Sequence, residues 1–334
     1  MPSQSPERAP ASPPTNVIEV DADLDGADST YGDDEQSFTT SLTSSVTAYK
    51  YEHGRRFHAY KEGSYKFPND EEEQDRLDMF HEVCRMLTGG VIAFAPFRKD
   101  GRILDLGTGT GIWAIDAGNS WPAATVLGND LSPIQPRWTP PNVKFEVDDI
   151  ETEWAYSAPF DLIHSRYMVC SISDWPKLVR QAFKFTKPGG YAEFQDWNIV
   201  PTSDDGTATE DNKIIQLQKL VVEATRKIGK EPIPGPQLKG WMEEAGYVDV
   251  TERIFKMPLG TWPKDKNLKH TGAASLLSYL DGLEAMTYGL LPPVLGWKIE
   301  EVQVLLAEVR KEARRKDVHM YYDCHFVFGQ KPEE

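Results

Sequence analysis

The tightest constraint on this chain is the run Ile103-Leu104-Asp105-Leu106-Gly107-Thr108-Gly109-Thr110-Gly111-Ile112-Trp113. Glycines at every second position weaken both strand and helix, so they mark a bend whose backbone has no Cβ to keep a ligand away. Apolar residues lead into the bend and out of it, which reads as a strand, a tight turn and a helix whose first amides point back at the turn. A chain built this way is committed to βαβ units and a parallel sheet covered by helices.

The texture after Arg102 agrees. Short apolar runs alternate with helical patterns, and the strands predicted are Arg102 to Asp105, Thr125 to Asp130, Val143 to Val147, Phe160 to His164 and Tyr191 to Asp196. Upstream, Asn69-Asp70 followed by Glu71, Glu72 and Glu73 suits a helix start, and Leu77, Phe80, Val83, Cys84 and Leu87 carry that helix to Gly89-Gly90, over about residues 70 to 88. Asp174 caps a second helix, which Lys187-Pro188-Gly189-Gly190 ends by turning the chain into the fifth strand. Further helices follow around Ile214 to Ala224, Leu238 to Ala245 and Ile299 to Val309, with strands at Val248 to Phe255 and, by strict alternation, Val318 to Phe328. Residues 257–297 lack clear periodicity and read as an insertion of the kind that roofs a site.

Charge divides the chain unevenly. Its 334 residues carry a formal charge of -16, and residues 1–47 hold nine acids against Arg8 alone, half of that total. The same segment is rich in Pro, Ser and Thr and poor in apolar clusters, so it is expected to be a disordered acidic tail. It has neither the basic start and apolar centre of a secretory signal nor the makeup of a transit peptide. An acidic protein repels phosphate backbones and anionic membranes, which argues against nucleic acid as a partner, and no apolar run is long enough to span a bilayer. Cys84, Cys170 and Cys324 are scattered without metal-ligand spacing and read as buried thiols in a reducing compartment, cytoplasmic or nuclear.

Asp130 ends the strand after the glycine bend, 23 residues beyond Gly107, near the offset of an acid that hydrogen-bonds a ribose. A nucleoside cofactor is implied. The glycines alone do not name it, since Gly109, Gly111 and Ala114 also satisfy a dinucleotide pattern. Asp105 discriminates: a carboxylate two residues before the first glycine sits badly beside a pyrophosphate and well beside an ammonium or sulfonium, both of which S-adenosylmethionine carries. Capping of the helix by Asp105 and of a turn by Asp130 stand as the competing structural readings.

With these residues in place, the sequence resembles the class I S-adenosylmethionine-dependent methyltransferases and, more narrowly, the fungal LaeA-like group of regulators and tailoring enzymes of secondary metabolism. The narrow resemblance rests on Gly54-Arg-Arg-Phe-His-Ala-Tyr60, Pro68-Asn-Asp-Glu-Glu-Glu-Gln-Asp-Arg-Leu77, Phe160-Asp-Leu-Ile-His-Ser-Arg166 and Lys187-Pro-Gly-Gly-Tyr-Ala-Glu-Phe-Gln-Asp196, and covers about residues 48–330. It implies a Rossmann-like α/β domain over 48–334: a mostly parallel seven-stranded sheet, helices on both faces and an antiparallel C-terminal strand. Residues 48–90 would form an N-terminal lid and helix, 100–200 the cofactor half, and 201–330 the substrate half.

By the same resemblance, Asp105, Gly107 and Gly109 would surround the methionine moiety, with Thr108 and Gly111 completing the loop. Asp130 would hold the ribose, Leu131 would pack on adenine, Asp149 would accept from its N6 group, and the Ile150 amide would meet the ring. His164 and Ser165 would border the reacting methyl. His164 is the first candidate for a general base because imidazole titrates near neutrality; a structural histidine at the sheet edge is the competing reading. Tyr51, Tyr60 and Tyr65 would either fold over the cofactor, their ring faces attracting sulfonium, or anchor the N-terminal segment. Trp197 and the 257–297 segment would line the acceptor pocket. Arg55 and Arg56 are candidates for pairing with the acidic helix start. No metal is expected: Gln195-Asp196-Trp197 lacks the Asp-Asn pair of metal-dependent catechol methyltransferases. Two functions follow, methylation of a small molecule or peptide on oxygen or nitrogen, and regulation through protein partners with little or no small-molecule methylation.

Overall fold

Between residues 102 and 197 the chain alternates short apolar segments with amphipathic ones, and the structure, a computed structural model, turns this alternation into a layered sheet. It describes residues 17–21, 49–52, 54–58 and 66–333. A hairpin of β1 (Lys50–Glu52) and β2 (Arg55–Phe57) precedes α1 (Glu71–Leu87). There follow β3 (Arg102–Leu106), α2 (Ile112–Ser120), β4 (Thr125–Asp130), β5 (Val143–Val147), β6 (Phe160–Arg166), α3 (Trp175–Phe185) and β7 (Thr186–Trp197). The second half contains α4 (Lys213–Lys227), α5 (Leu238–Ala245), β8 (Val248–Pro258), α6 (Lys266–Asp281), α7 (Leu283–Tyr288), α8 (Ile299–Ala313) and β9 (Tyr321–Gln330).

Seven strands form one sheet in the order β5-β4-β3-β6-β7-β9-β8, and β9 runs antiparallel to both of its neighbours while the other pairs are parallel. Strands β3 and β6 are buried on both faces, which explains why they read as nearly continuous apolar runs. Leu104, Leu106 and Ile163 pack under α3 and α5, whereas Ile103 and Leu162 pack with Trp113 and Ala117 of α2. A third apolar cluster joins α1, α4, α7 and α8 to Trp197, Met257, Tyr322 and Phe326. All three cysteines are buried and free. No helix among the described residues is long and apolar enough to cross a membrane.

Three expectations change. Residues 257–297 hold two α-helices and the π-helical turn Leu291–Leu295 instead of irregular chain. The face that α6 buries is Thr271, Gly272, Ser275, Ser278 and Tyr279, a helical spacing of four small residues and one tyrosine that an apolar search misses. Close approach demands it: a Cβ on Gly272 would stand 2.1 Å from the Gly260 carbonyl oxygen. Next, Lys187–Gly190 belong to β7, with a register shift at Phe160 and Leu162 of β6, so the turn is absorbed as an irregularity within the strand. Finally, residues 17–21 of the expected tail lie against the body: Val20 bridges to Pro263, and the Asp21 amide donates to the Trp262 carbonyl at 2.8 Å. The rest of residues 1–47 falls outside the described residues.

Candidate functional site

The strand order reverses at β3, and ligands of open α/β sheets bind beyond the carboxyl ends of the strands at such a point. A cleft lies there. Gly107 adopts φ 63°, and a Cβ on it would meet the Met168 sulfur at 2.4 Å, so glycine is required for both shape and space. Gly111 also has positive φ and opens α2, but it faces the Phe145 ring and does not line the cleft. Its part is to set the entry of the helix.

Asp130 lies across the bend from these glycines. Its Oδ2 accepts the Gly109 amide at 2.9 Å and its Oδ1 the Ser132 amide at 2.8 Å, leaving lone pairs on both oxygens. Burial pushes its carboxyl up to about 6 against the pull of those amides. Leu131, Asp149 and Ile150 line the same cleft. Asp149 accepts the Glu151 amide at 2.9 Å, while Asp148 accepts the Asp149 amide at 2.8 Å, and together these bonds set the loop after β5.

Asp105 lines the cleft beneath the bend and is held there by protein partners. Its Oδ2 accepts the Thr108 hydroxyl at 2.6 Å and its Oδ1 lies 2.7 Å from His164 Nδ1. The His164 ring stacks on Trp113 with centroids 3.6 Å apart and planes 3° apart, and its Nε2 is buried without a hydrogen-bond partner. Ser165 pairs with Leu106 and Phe194 and falls on the opposite sheet face, outside the cleft, because successive strand residues alternate sides.

Helix α1 walls the cleft from above. Its cap Asp70 accepts the Glu73 amide at 3.1 Å and pairs with Arg55 through two bonds of 2.6 and 2.8 Å; Arg56 reaches Glu71 at 2.7 Å and the Asn69 carbonyl at 2.6 Å. These bonds fasten the β1–β2 hairpin to the helix start. Asn69 in turn donates to the Ser132 hydroxyl at 3.1 Å, and Thr110 donates to Asp78 at 2.6 Å, joining helix to bend. Arg166 donates to His81 Nδ1 at 2.6 Å while His81 Nε2 meets Asp116 at 3.0 Å. Burial, helped by Arg166, holds that imidazole down to about 4, so it stays neutral. Tyr51 sits on β1 at 67% exposure, outside the cleft, and Tyr60 and Tyr65 lie outside the described residues.

A second cavity adjoins the cleft, and Glu73, Phe80 and Tyr167 border both. Phe80 packs on Tyr167 with centroids 4.3 Å apart and on Trp197 at 5.1 Å, an aromatic neck between the two spaces. Tyr167 and Cys170 hold φ 59° and 63°, a left-handed backbone that costs non-glycine residues on the order of 1 kcal/mol each. Sequence reasoning does not single out Glu73 and Arg76 as site residues, although they lie in the Pro68–Leu77 block. They form a buried two-bond pair at 2.7 and 2.8 Å. Among the described residues, no group of three or more His, Cys, Asp or Glu side chains is placed to hold a metal.

Comparison with known proteins agrees with this geometry. The methyltransferase domain family matches residues 76–252, more than half of the chain. The chain is 46% identical over 324 residues to the methyltransferase pytC of Aspergillus terreus, covering 96% of this chain and 98% of that protein. It is 35% identical over 293 residues to the secondary metabolism regulator laeA of Aspergillus fumigatus, covering 84% and 76%. It is 34% identical over 288 residues to the protein-methionine methyltransferase laeA of Emericella nidulans, again covering 84% and 76%. The bare-backbone bend, the acid ending β4 and these matches together place the chain in the class I S-adenosylmethionine-dependent methyltransferase family, within its LaeA-like group.

Proposed function

We propose that this methyltransferase transfers a methyl group to oxygen or nitrogen of a small-molecule acceptor in secondary metabolism, with the cofactor in the glycine-lined cleft and the acceptor entering from the second cavity. The observation that carries the reading is the adjacency of the two spaces, which share Glu73, Phe80 and Tyr167 as wall residues. When bound, S-adenosylmethionine supplies an electrophilic methyl on sulfonium; the acceptor lone pair forms the new bond, the C–S pair stays on sulfur as a thioether, and an acceptor proton leaves.

The residues present suit that group. Asp130 offers acceptor lone pairs for the ribose hydroxyls, Leu131 and Ile150 offer apolar surface for adenine, and Asp149 offers a carboxylate for its N6 group. Gly107, Thr108 and Gly109 let the methionine portion approach the backbone. Asp105 acts through others: it holds Thr108 and His164 in place. His164 borders the cofactor cleft and not the second cavity, so a positioning role for its imidazole is better supported than proton abstraction from the acceptor. The main tasks left to the protein are alignment of the acceptor behind the methyl and exclusion of water, which the aromatic neck serves.

Calorimetry with S-adenosylhomocysteine should give one site per chain, and labelled cofactor should methylate small molecules in a fungal extract. Failure of the nucleoside to bind would sink the proposal. The regulator names among the relatives favour a second reading, action through a protein partner; nucleoside binding with no small-molecule product, together with a stable protein partner, would select it.

A further inference from the structure

Buried polar atoms without partners are rare in folded proteins, and each asks for water or a ligand. Among the described residues, four such atoms belong to residues that line the second cavity: Trp197 Nε1, Ser278 Oγ, Tyr279 OH and Tyr322 OH. They come from three separate parts of the chain, β7, α6 and β9, so their convergence is not a local accident of one helix. Gln218 of α4 lies beside both tyrosine hydroxyls without a hydrogen bond of normal geometry to either.

Charge in the cavity is closed off. Glu73 and Arg76 face it as a mutually neutralised pair, each under a tenth exposed. Burial pushes the Cys170 thiol up to about 12, so it is neutral, and the two tyrosines are raised by burial as well. An anionic guest would have to take Arg76 from Glu73, and a cationic guest would have to take Glu73 from Arg76. Breaking a buried pair by occupying one partner strands the other charge. The remaining wall is mostly apolar and aromatic, with Phe80, Tyr167, Met257 and Val221, and its other polar members, Ser275 and Gln218, are uncharged.

Resting on the reading of this space as the acceptor site, we propose that the acceptor is an uncharged, predominantly apolar small molecule whose polar edge hydrogen-bonds the Ser278, Tyr279 and Tyr322 hydroxyls. The apolar body lies against the aromatic neck, and the polar edge fixes which acceptor atom is turned toward the cleft. Charged peptides and amino acids are poor guests for the same reason that neutral aromatics are good ones.

The test uses the full-length protein saturated with S-adenosylhomocysteine and three probes of matched shape: 2-naphthol, 2-naphthoate and 2-naphthylmethylammonium. Calorimetry should show 2-naphthol binding at least about tenfold more tightly than either ion. The Tyr279→Phe/Tyr322→Phe variant should weaken 2-naphthol by about five- to tenfold, the loss of one or two neutral hydrogen bonds, and Val221→Phe should abolish it by filling the cavity. Nucleoside affinity in each variant is measured alongside as the check that the protein is folded. Equal or tighter binding of either ion, no binding of 2-naphthol, or 2-naphthol binding indifferent to these substitutions overturns the proposal while nucleoside binding leaves the cofactor reading intact. Failure of the nucleoside itself to bind the unsubstituted protein overturns both.

Discussion

At the scale of single residues, Asp130 links geometry to a pH dependence. Its ordinary carboxyl range lies near 4, and burial lifts it to about 6 in the free protein. A ribose donates to the carboxylate better than to the neutral acid, so binding favours the ionised form and is present in full only above the free-protein pKa. The sign is therefore a loss of affinity as pH falls through 6. Between pH 7.5 and 5, S-adenosylhomocysteine should weaken by about tenfold. Asp130→Ala should cost about 1–3 kcal/mol at pH 7.5 through the missing hydrogen bonds and should flatten the profile. Calorimetry at the two pH values checks both, and a profile unchanged by the substitution would remove Asp130 from the ribose site. Glycine spacing and a strand-ending acid make this residue visible in the sequence alone. Ser165 shows the opposite case: adjacency to His164 in sequence suggests a shared site, but strand alternation sends the two side chains to opposite faces. The partners of Asp105 are also hidden from sequence, because a carboxylate's choice between a ligand and its neighbours is decided by packing across β3, β6 and α2.

At the scale of elements, what is legible depends on whether a buried face is apolar. The five parallel strands and α1, α3, α4, α5 and α8 bury apolar side chains at regular spacing, and apart from the start of β7 the sequence marks them to within a few residues of their ends. Helix α6 escapes this signal, because it lies so close to the chain at Gly260 that only small side chains fit between them. Gly272 is the tightest point, its hydrogens facing the Gly260 carbonyl, whose own amide donates to the Gly272 carbonyl at 3.0 Å. Gly272→Ala must push α6 outward, since the atom in the way is backbone and cannot rotate aside. Overpacking of this kind costs about 1–3 kcal/mol, and a shift in urea midpoint with an unchanged slope should report it. Because α6 also carries Ser275, Ser278 and Tyr279, the same variant should lower 2-naphthol affinity while leaving nucleoside affinity as it was. A variant as stable as the parent would mean that α6 can yield at Gly260 without cost.

Across the whole molecule, the roof of the second cavity is held from two sides. From within, α6 packs on α1, the helix that walls the cofactor cleft. From outside, residues 17–21 lie along Trp262–Lys264: the Lys264 amide donates to the Glu19 carbonyl at 2.7 Å, Lys264 Nζ meets Glu19 Oε2 at 2.9 Å, and Lys269 of α6 pairs with Asp21. An acidic composition gives this stretch little to build a core from, but a few acids need no core where a basic edge is offered to them. The Lys264–Glu19 pair is exposed and the Lys269–Asp21 pair half-buried; pairs near the surface are worth about 1 kcal/mol or less and are weakened by salt, so the attachment is expected to be shallow. In Lys264→Glu/Lys269→Glu, both pairs become like-charge contacts and the backbone bonds lose their support. Hydrogen exchange at the Asp21 and Lys264 amides should then accelerate several-fold, as it should in the parent at high salt, while the melting temperature moves by no more than about 2 °C. If protection at those amides survives both charge reversal and salt, the backbone bonds alone hold the segment and its acidity has no part in fastening it to the roof.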